Sequence, residues 1–556
     1  MSVCERIRAR RAGATVVLVG IVLAASNALG LESSPEAIEA GKQVYQRRCV
    51  FCHGDEGAGD GPVADYLDPR PRDFTLGIFK FRSTKTGGLP TDEDLFRTIT
   101  EGVLGTAMPK WGVGDGILSE EERWQVLHYI KSFSMGIFDD PEFDPESSEW
   151  KVSVGDEPPA TAESIAAGDE IFHDIGRGAC VKCHGVEGRG DGADSEKGLV
   201  DDWGFGIVPR NLTEGWRFKR GTAARDIYLT LRGGLMGTPM PSVADTISEE
   251  ETWQLAHYVT SLVEEDDTSG KVILQATFAA DGIPEDPDDE RWSLAPALDI
   301  PMVGQVLVAP RWQNPSVQRV RLRAKFDDEK LAIHATWDDR TEDRGGDVPD
   351  DLGLRNPDAK PGEVETYFSV ERARARGQED ISDALLLQFP IRIPDSPVKP
   401  HFYQGSSREK ANQWFWSAHR QNDEGAGVVE QVARGIDKPE ESQAEDNQQV
   451  TSRAIWRNGQ WQAVFVRPLR TEDAKSDIQF EAGQLIPLAA NAWDASSGEW
   501  GLQRSVSSWY YLELEQSVAG RVYVASAAVA LLVAGLQILL IRRTAAAEAD
   551  GVGDRG

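Results

Sequence analysis

A chain of 556 residues exceeds one ordinary domain and predicts three or four. With 40% hydrophobic residues and 16 tryptophans it can build real cores, which excludes a disordered polypeptide. A formal net charge of -32 argues against nucleic acid, since a polyanion would be repelled; partners with basic docking patches fit better, although life in high salt yields the same composition.

Residues 1–30 read as a secretion signal. Arg6, Arg8, Arg10 and Arg11 precede an apolar stretch from Ala12 to Ala25, and the small residues Ala28 and Gly30 suit cleavage after Gly30, with an uncleaved anchor as the alternative. A first unit is expected over 31–135. It opens on a helix signalled by Ser34-Pro35-Glu36, a capping residue, a proline at the first helical position and an acid in the first turn. Gly41 and Tyr45 lie on one face of that helix, which runs into Cys49-Val-Phe-Cys52-His53 and an acidic, glycine-rich loop. Met108-Pro109 follows, and a last helix begins at a capping box made by Ser119 and Glu122.

The same order recurs over 163–264: Gly168 and Phe172, then Cys180-Val-Lys-Cys183-His184, Met240-Pro241, and a capping box at Ser248 and Glu251. Cys49 and Cys180 are 131 positions apart, Met108 and Met240 132, and His128 and His257 129, so the unit is duplicated. A Cys-x-x-Cys-His run places two thiols where they can form thioethers to the vinyl groups of a haem, with the imidazole under the iron. Zinc sites and redox dithiols share Cys-x-x-Cys, but zinc needs two further ligands nearby and none of the right type follows either run. These motifs take four of the five cysteines; the fifth is Cys4, which leaves nothing for a disulfide or an iron-sulfur cluster.

Motif, methionine loop and helices in this order resemble class I cytochrome c domains, over about 35–133 and 163–263. The resemblance implies that the first and last helices cross beside a haem attached at Cys49 and Cys52, or at Cys180 and Cys183. It makes His53 and His184 iron ligands and supplies the sixth ligand from a methionine before the last helix. Gly102-Val-Leu-Gly-Thr-Ala-Met108-Pro109 aligns with Gly234-Leu-Met-Gly-Thr-Pro-Met240-Pro241, which selects Met108 and Met240 over Met236, whose counterpart is Leu104. Two protein ligands leave no open coordination position, so the expectation is electron transfer and no catalytic residue. His128 and His257 then read as partly exposed residues of the last helix. Arg72, Arg82, Arg210 and Arg220 suit either haem propionates or a plain surface role.

Residues 136–162 are acidic and proline-rich and read as a spacer between the two units. From about Lys271 the pattern turns to period two: Val320, Leu322, Ala324 and Phe326 alternate with Arg321, Arg323 and Lys325, and Asn458-Gly459 between Trp456 and Trp461 signals a tight hairpin. Further strands are expected at 383–393, 413–419, 461–467, 484–493 and 505–515, giving an all-β sandwich over 271–516. Asp383-Ala-Leu-Leu-Leu-Gln-Phe-Pro390, Gln413-Trp-Phe-Trp416, Gly459 to Pro468 and Ser505-Val-Ser-Ser-Trp-Tyr510 resemble the haem-binding domain of the ethylbenzene dehydrogenase gamma-subunit family. That resemblance implies a haem b held by Met and Lys, and electron traffic with a molybdenum subunit through an iron-sulfur subunit. At those two positions this chain has Tyr403-Gln404-Gly405 and Arg504, so either Met302, His334 or His401 substitutes or the domain carries no haem.

Val522 to Ile541 is an apolar run of spanning length followed by Arg542-Arg543, which predicts a transmembrane helix over 521–542 and a cytoplasmic tail over 543–556. The expected molecule is therefore multidomain: two all-α cytochrome c domains, one all-β sandwich and one C-terminal transmembrane helix, with the bulk of the chain periplasmic. It would serve as the dihaem electron-transfer subunit of a respiratory molybdenum oxidoreductase of the nitrate/nitrite type. Its partners would be the iron-sulfur and molybdenum subunits and a soluble or membrane cytochrome. A dihaem peroxidase, or a stand-alone shuttle with a ligand-binding sandwich, are the alternatives.

Overall fold

The computed structural model describes residues 32–112, 117–134, 136–264, 270–307, 311–345, 381–393, 399–421, 427–435, 440–516 and 529–542. The secretion signal expected over 1–30 and the tail over 543–556 lie outside them. In the first unit the helices are α1 Pro35–Arg48, α2 Val50–His53, α3 Asp92–Glu101 and α4 Glu120–Ser132. In the second they are α5 Ala162–His173, α6 Val181–His184, α7 Ala224–Gly233 and α8 Glu249–Ser261. The expected starts are present: Ser34 accepts from the Ala37 N–H, and Ser119 with Glu122 and Ser248 with Glu251 form reciprocal capping boxes. Helices α3 and α7 carry no sequence expectation; α3 is fixed by a third capping box, Thr91 with Asp94.

Two glycines set the helix crossings. A Cβ on Gly41 would stand 1.9 Å from the Gln125 carbonyl oxygen, and one on Gly168 2.1 Å from that of Gln254. Backbone therefore lies against backbone where α1 meets α4 and α5 meets α8, a distance only glycine permits. Aromatic rings close each crossing: Tyr45 packs on Tyr129 at 5.3 Å and Phe133 at 5.2 Å, and Phe172 on Tyr258 at 5.3 Å. His128 and His257 are buried, at 3% and 2% exposure, contrary to the partial exposure expected of them. Their helices are covered on that face by the rest of the unit, and the His257 Nδ1 meets the Ser164 hydroxyl at 2.7 Å.

Residues 136–162 are not a free spacer. The Lys85 N–H donates to the Trp150 carbonyl at 2.8 Å and the Val152 N–H to the Ser83 carbonyl at 2.9 Å, while Val152 is buried in the core of the second unit. The segment straps the first unit to the second, because its Trp150 and Val152 gain more by burial than an extended chain in water allows.

Beyond residue 270 one continuous hydrogen-bonded path of strands runs, in spatial order, Thr451–Arg457, Gln460–Pro468, Lys330–Asp338, Arg319–Phe326, Ile273–Phe278, Tyr510–Leu514, Leu485–Trp493, Ala384–Pro390, Ala411–Ser417, Val428–Ala433, Glu441–Ser442. Leu485–Trp493 belongs to both halves, pairing with Tyr510–Leu514 through Leu485–Leu488 and with Ala384–Pro390 through Ala489–Trp493. The halves face each other: Trp337 meets Trp416 at 5.5 Å, Trp416 meets Trp461 at 4.9 Å and Trp414 meets Phe465 at 6.5 Å. The expected hairpin is present, with Asn458 and Gly459 both at positive φ (49° and 74°), as a twist-matched two-residue turn requires.

The C-terminal transmembrane helix is not borne out. Among the described residues no helix is long and apolar enough to cross a membrane. The described helical stretch there is 529–542, which at roughly 1.5 Å per residue covers about 21 Å of the ~30 Å hydrocarbon layer. The single membrane span and the localisation inferred from it fall with it.

Candidate haem sites and the surfaces that join them

Each Cys-x-x-Cys-His run forms one tight turn at the end of a longer helix. The Cys49 N–H donates to the Tyr45 carbonyl at 2.8 Å and the His53 N–H to the Cys49 carbonyl at 2.9 Å; in the second unit the His184 N–H donates to the Cys180 carbonyl at 2.8 Å. The four thiols are partly exposed. The glycine-rich loop then wraps back over the turn. The Gly59 and Gly61 N–H groups reach the His53 and Cys52 carbonyls at 2.9 and 3.2 Å, matched by Gly190 on His184 at 2.8 Å and Gly192 on Cys183 at 3.2 Å. A Cβ on Gly61 would lie 2.4 Å from the Phe51 carbonyl oxygen, so the wrap requires the missing side chain.

Both imidazoles are oriented from behind. Nδ1 of His53 meets the Arg72 carbonyl at 3.1 Å, and Nδ1 of His184 the Arg210 carbonyl at 2.9 Å. Only a protonated Nδ1 can donate there, which leaves the lone pair on Nε2 for a metal. Burial lowers the pKa of both rings, keeping them neutral and able to ligate. The His53 ring also stacks on Phe74 at 4.5 Å.

The methionine loops match in detail. The Val103 N–H donates to the Met108 carbonyl and the Leu235 N–H to the Met240 carbonyl, each at 3.1 Å. The N–H of Met108 reaches the Thr106 hydroxyl at 3.2 Å and that of Met240 the Thr238 hydroxyl at 3.3 Å. Met240 packs against the core of its unit together with Cys180.

Of the four arginines considered for propionates, two lie beside the histidines and two elsewhere. Burial pulls Arg72 and Arg210 down to about 10, Lys80 down to about 8 and Lys219 well below its ordinary value. Lys80 feels Arg72 and Arg210, and Lys219 feels Arg210 and Lys80, so cations of both units converge. Such a cluster fits acidic propionates. Arg82 and Arg220 instead build the contact between the units. Arg82, 1% exposed, donates to the carbonyls of Gly233 and Gly234. Arg220 donates to the Asp94 carboxylate at 3.1 Å and the Arg82 carbonyl at 2.8 Å, and Arg97 grips Asp226 with both nitrogens. The sequence marks Arg82 and Arg220 only for propionates or a surface role, and Arg97, Asp94 and Asp226 not at all.

A second charged seam joins the second unit to the sheet. Glu264 receives Arg319 at 2.8 Å, Arg321 at 3.3 Å and Arg189 at 3.4 Å. Burial works against its charge, yet the three guanidinium groups hold Glu264 below its ordinary pKa. Asp338 takes Arg189 at 2.8 Å and Asn211 at 3.0 Å.

Comparison with known proteins follows this division. Residues 36–130 match the family model described as cytochrome c oxidase, cbb3-type, subunit III, and residues 165–263 match that described as cytochrome c. The chain carries two cytochrome c domains. Each implies a covalently bound haem c, and the paired thiols, the oriented imidazole and the converging cations fit that group. A Haloferax mediterranei protein named "Putative respiratory nitrate reductase heme subunit ORF7" is 24% identical over 255 residues, 46% of this chain and 77% of that protein. The thiosulfate dehydrogenase of Allochromatium vinosum is 31% identical over 134 residues, 22% of this chain and 42% of the enzyme. A chain of a reducing HAO-like protein complex from Kuenenia stuttgartiensis is 46% identical, covering 41% of this chain and 96% of its own, at a TM-score of 0.37.

The matched family models cover the two cytochrome units and leave the ethylbenzene dehydrogenase likeness of the β domain unconfirmed, and the donor set of that domain does not suit a haem b. Arg504, 3% exposed, lies 4.0 Å over the Tyr403 ring and 4.8 Å from Trp493; a guanidinium has no lone pair for iron. The cavity beside them, about 270 Å³, is lined by Gln404, Glu440, Glu499 and Arg504. Met302 is buried in the main core, His334 is buried and stacked on Trp292 at 5.1 Å, and His401 is exposed against Phe402, so these candidates sit in three separate settings.

Proposed function

We propose that this chain is the dihaem electron-transfer subunit of a respiratory molybdenum oxidoreductase complex of the nitrate/nitrite type. Haem bound in each cytochrome domain supplies a one-electron carrier. The chain's own residues would fix it: Cys49 and Cys52, or Cys180 and Cys183, as thioethers, and His53 with Met108, or His184 with Met240, as the axial pairs. The Arg72 and Arg210 carbonyls set each imidazole's tautomer, and Arg72, Lys80, Arg210 and Lys219 would neutralise the propionates.

The observation that carries the reading is the rigid joining of two equivalent sites. Arg97 on Asp226 and Arg220 on Asp94 lock one cytochrome domain to the other, so both are held at one separation without depending on a diffusing encounter. The likeness to a protein named as a nitrate reductase haem subunit supports the class of complex. The β domain, pinned to the second cytochrome through Glu264 and Asp338, is then the surface offered to an iron-sulfur subunit, and a further cytochrome would exchange electrons at the other end. Affinity purification of the tagged full-length chain from its native cells tests this. Co-recovery of iron-sulfur and molybdenum subunits is expected; recovery of the dihaem chain alone would overturn the assignment.

A further inference from the structure

Away from both haem sites, four carboxylates converge at one end of the β domain. Asp339 follows the strand Lys330–Asp338, Asp383 precedes Ala384–Pro390, Asp494 follows Leu485–Trp493, and Asp343 lies on the loop after Asp339. One oxygen from each lies within 4.8 Å of the others. Asp383 is fully buried and Asp339 and Asp494 are 3% exposed.

Like charges brought this close out of water repel strongly, so the arrangement needs a counter-charge. Nearby donors are neutral: the Trp461 indole N–H at 3.0 Å and the Asp343 N–H at 2.7 Å on Asp383, and the Ser497 N–H at 3.0 Å on Asp494. Arg340 stabilises the Asp343 carboxylate at the rim and donates to the Ser497 hydroxyl at 3.4 Å, but one guanidinium does not balance four carboxylates. A separate observation points to a missing ligand: Oδ2 of buried Asp339 has no hydrogen-bond partner, although its carboxylate faces into the group. A buried polar atom left this way is rare unless something else occupies its lone pairs. Consistently, burial and mutual repulsion push Asp339 and Asp383 far above the ordinary carboxylate range.

We propose that these four aspartates bind one calcium ion. The donor set is all oxygen, which selects a hard cation over zinc, copper or iron. Two oxygens on opposite sides of one calcium, at roughly 2.3–2.6 Å each, stand at most about 5 Å apart, which accommodates the whole set; magnesium, at roughly 2.0–2.1 Å, spans only about 4.2 Å and keeps most of its water. The ion ties together the ends of three strands drawn from both facing half-sheets. It also sits one residue beyond Asp338, which holds Arg189 and Asn211 of the second cytochrome domain. Calcium therefore braces the edge on which that domain docks.

The test uses the intact holoprotein. After treatment with EGTA and buffer exchange, calcium chloride is titrated by calorimetry, and thermal unfolding is followed with and without calcium or magnesium. One calcium per chain is expected, with a melting midpoint that climbs with calcium concentration by mass action and responds at least tenfold less sensitively to magnesium. Asp383→Asn removes a central ligand and risks misfolding, so Asp343→Asn, at the half-buried rim, is the deciding variant: calcium affinity falls tenfold or more while the haem absorption spectrum stays unchanged. No binding at millimolar calcium, equal response to magnesium, or unaltered affinity in Asp343→Asn would each overturn the assignment.

Discussion

Glu499 shows how one buried side chain makes the β domain sensitive to pH. Its carboxylate accepts from the Trp312 indole at 2.7 Å and from the Ser316 N–H at 2.8 Å, yet burial first, and the neighbouring Asp494 second, raise it to about 8. A folded-state pKa raised above the unfolded one contributes stability that is complete below the unfolded value and is lost as pH rises through the folded value. The β domain should therefore lose stability between about pH 4.5 and pH 8, and Glu499→Gln should flatten that slope. Denaturant unfolding followed by tryptophan fluorescence at several pH values measures both; a slope identical in the variant would remove Glu499 as the cause. Arg504 and Gln404 show the opposite kind of information: the sequence marks both as departures from a Met and Lys ligand pair and leaves open what replaces them, whereas the fold places the Arg504 guanidinium over the Tyr403 ring.

At the scale of elements, what could be read in the sequence was what depends on near neighbours. Capping boxes, the Cys-x-x-Cys-His turns and the Asn458-Gly459 hairpin are local, and the structure has all of them. Gly41 and Gly168 were placed on the correct helix faces because period and duplication reveal a face. Gly168→Ala should cost about 1–3 kcal/mol, since its methyl would have to displace the Gln254 carbonyl; chemical unfolding of the holoprotein should show this, and a neutral result would mean the helices do not touch there. The contacts between domains were not legible. Arg97, Asp226 and Asp94 are ordinary charged residues locally, Arg220 reads there only as a propionate or surface residue, and only folding brings together residues more than 120 positions apart. Arg220→Met should destabilise the pair of domains by about 1–3 kcal/mol by leaving Asp94 without its guanidinium, with both haem spectra intact. Unchanged unfolding would show that this contact does not hold the units together. The apolar run near the C terminus misled for a related reason: composition gives the length of a hydrophobic stretch, whereas the helix formed within the described residues covers only part of it.

In the whole molecule the two cytochrome c domains are joined by the ion pairs of Arg97 with Asp226 and Arg220 with Asp94, and the second is pinned to the β domain through Glu264 and Asp338. The net charge of -32 favours partners that present basic surfaces, so electron exchange with a soluble cytochrome should slow as ionic strength rises from ~0.01 to ~0.15 M. Stopped-flow reduction across that range measures it, and a rate independent of salt would contradict electrostatic docking. The most direct test of the central claim is addition of carbon monoxide to the fully reduced protein, read by visible absorption. If each iron is held, as proposed, by His53 and Met108 or by His184 and Met240, the spectrum should not change. A carbon monoxide adduct at either haem would mean an open iron, and a site for substrate chemistry in place of electron relay.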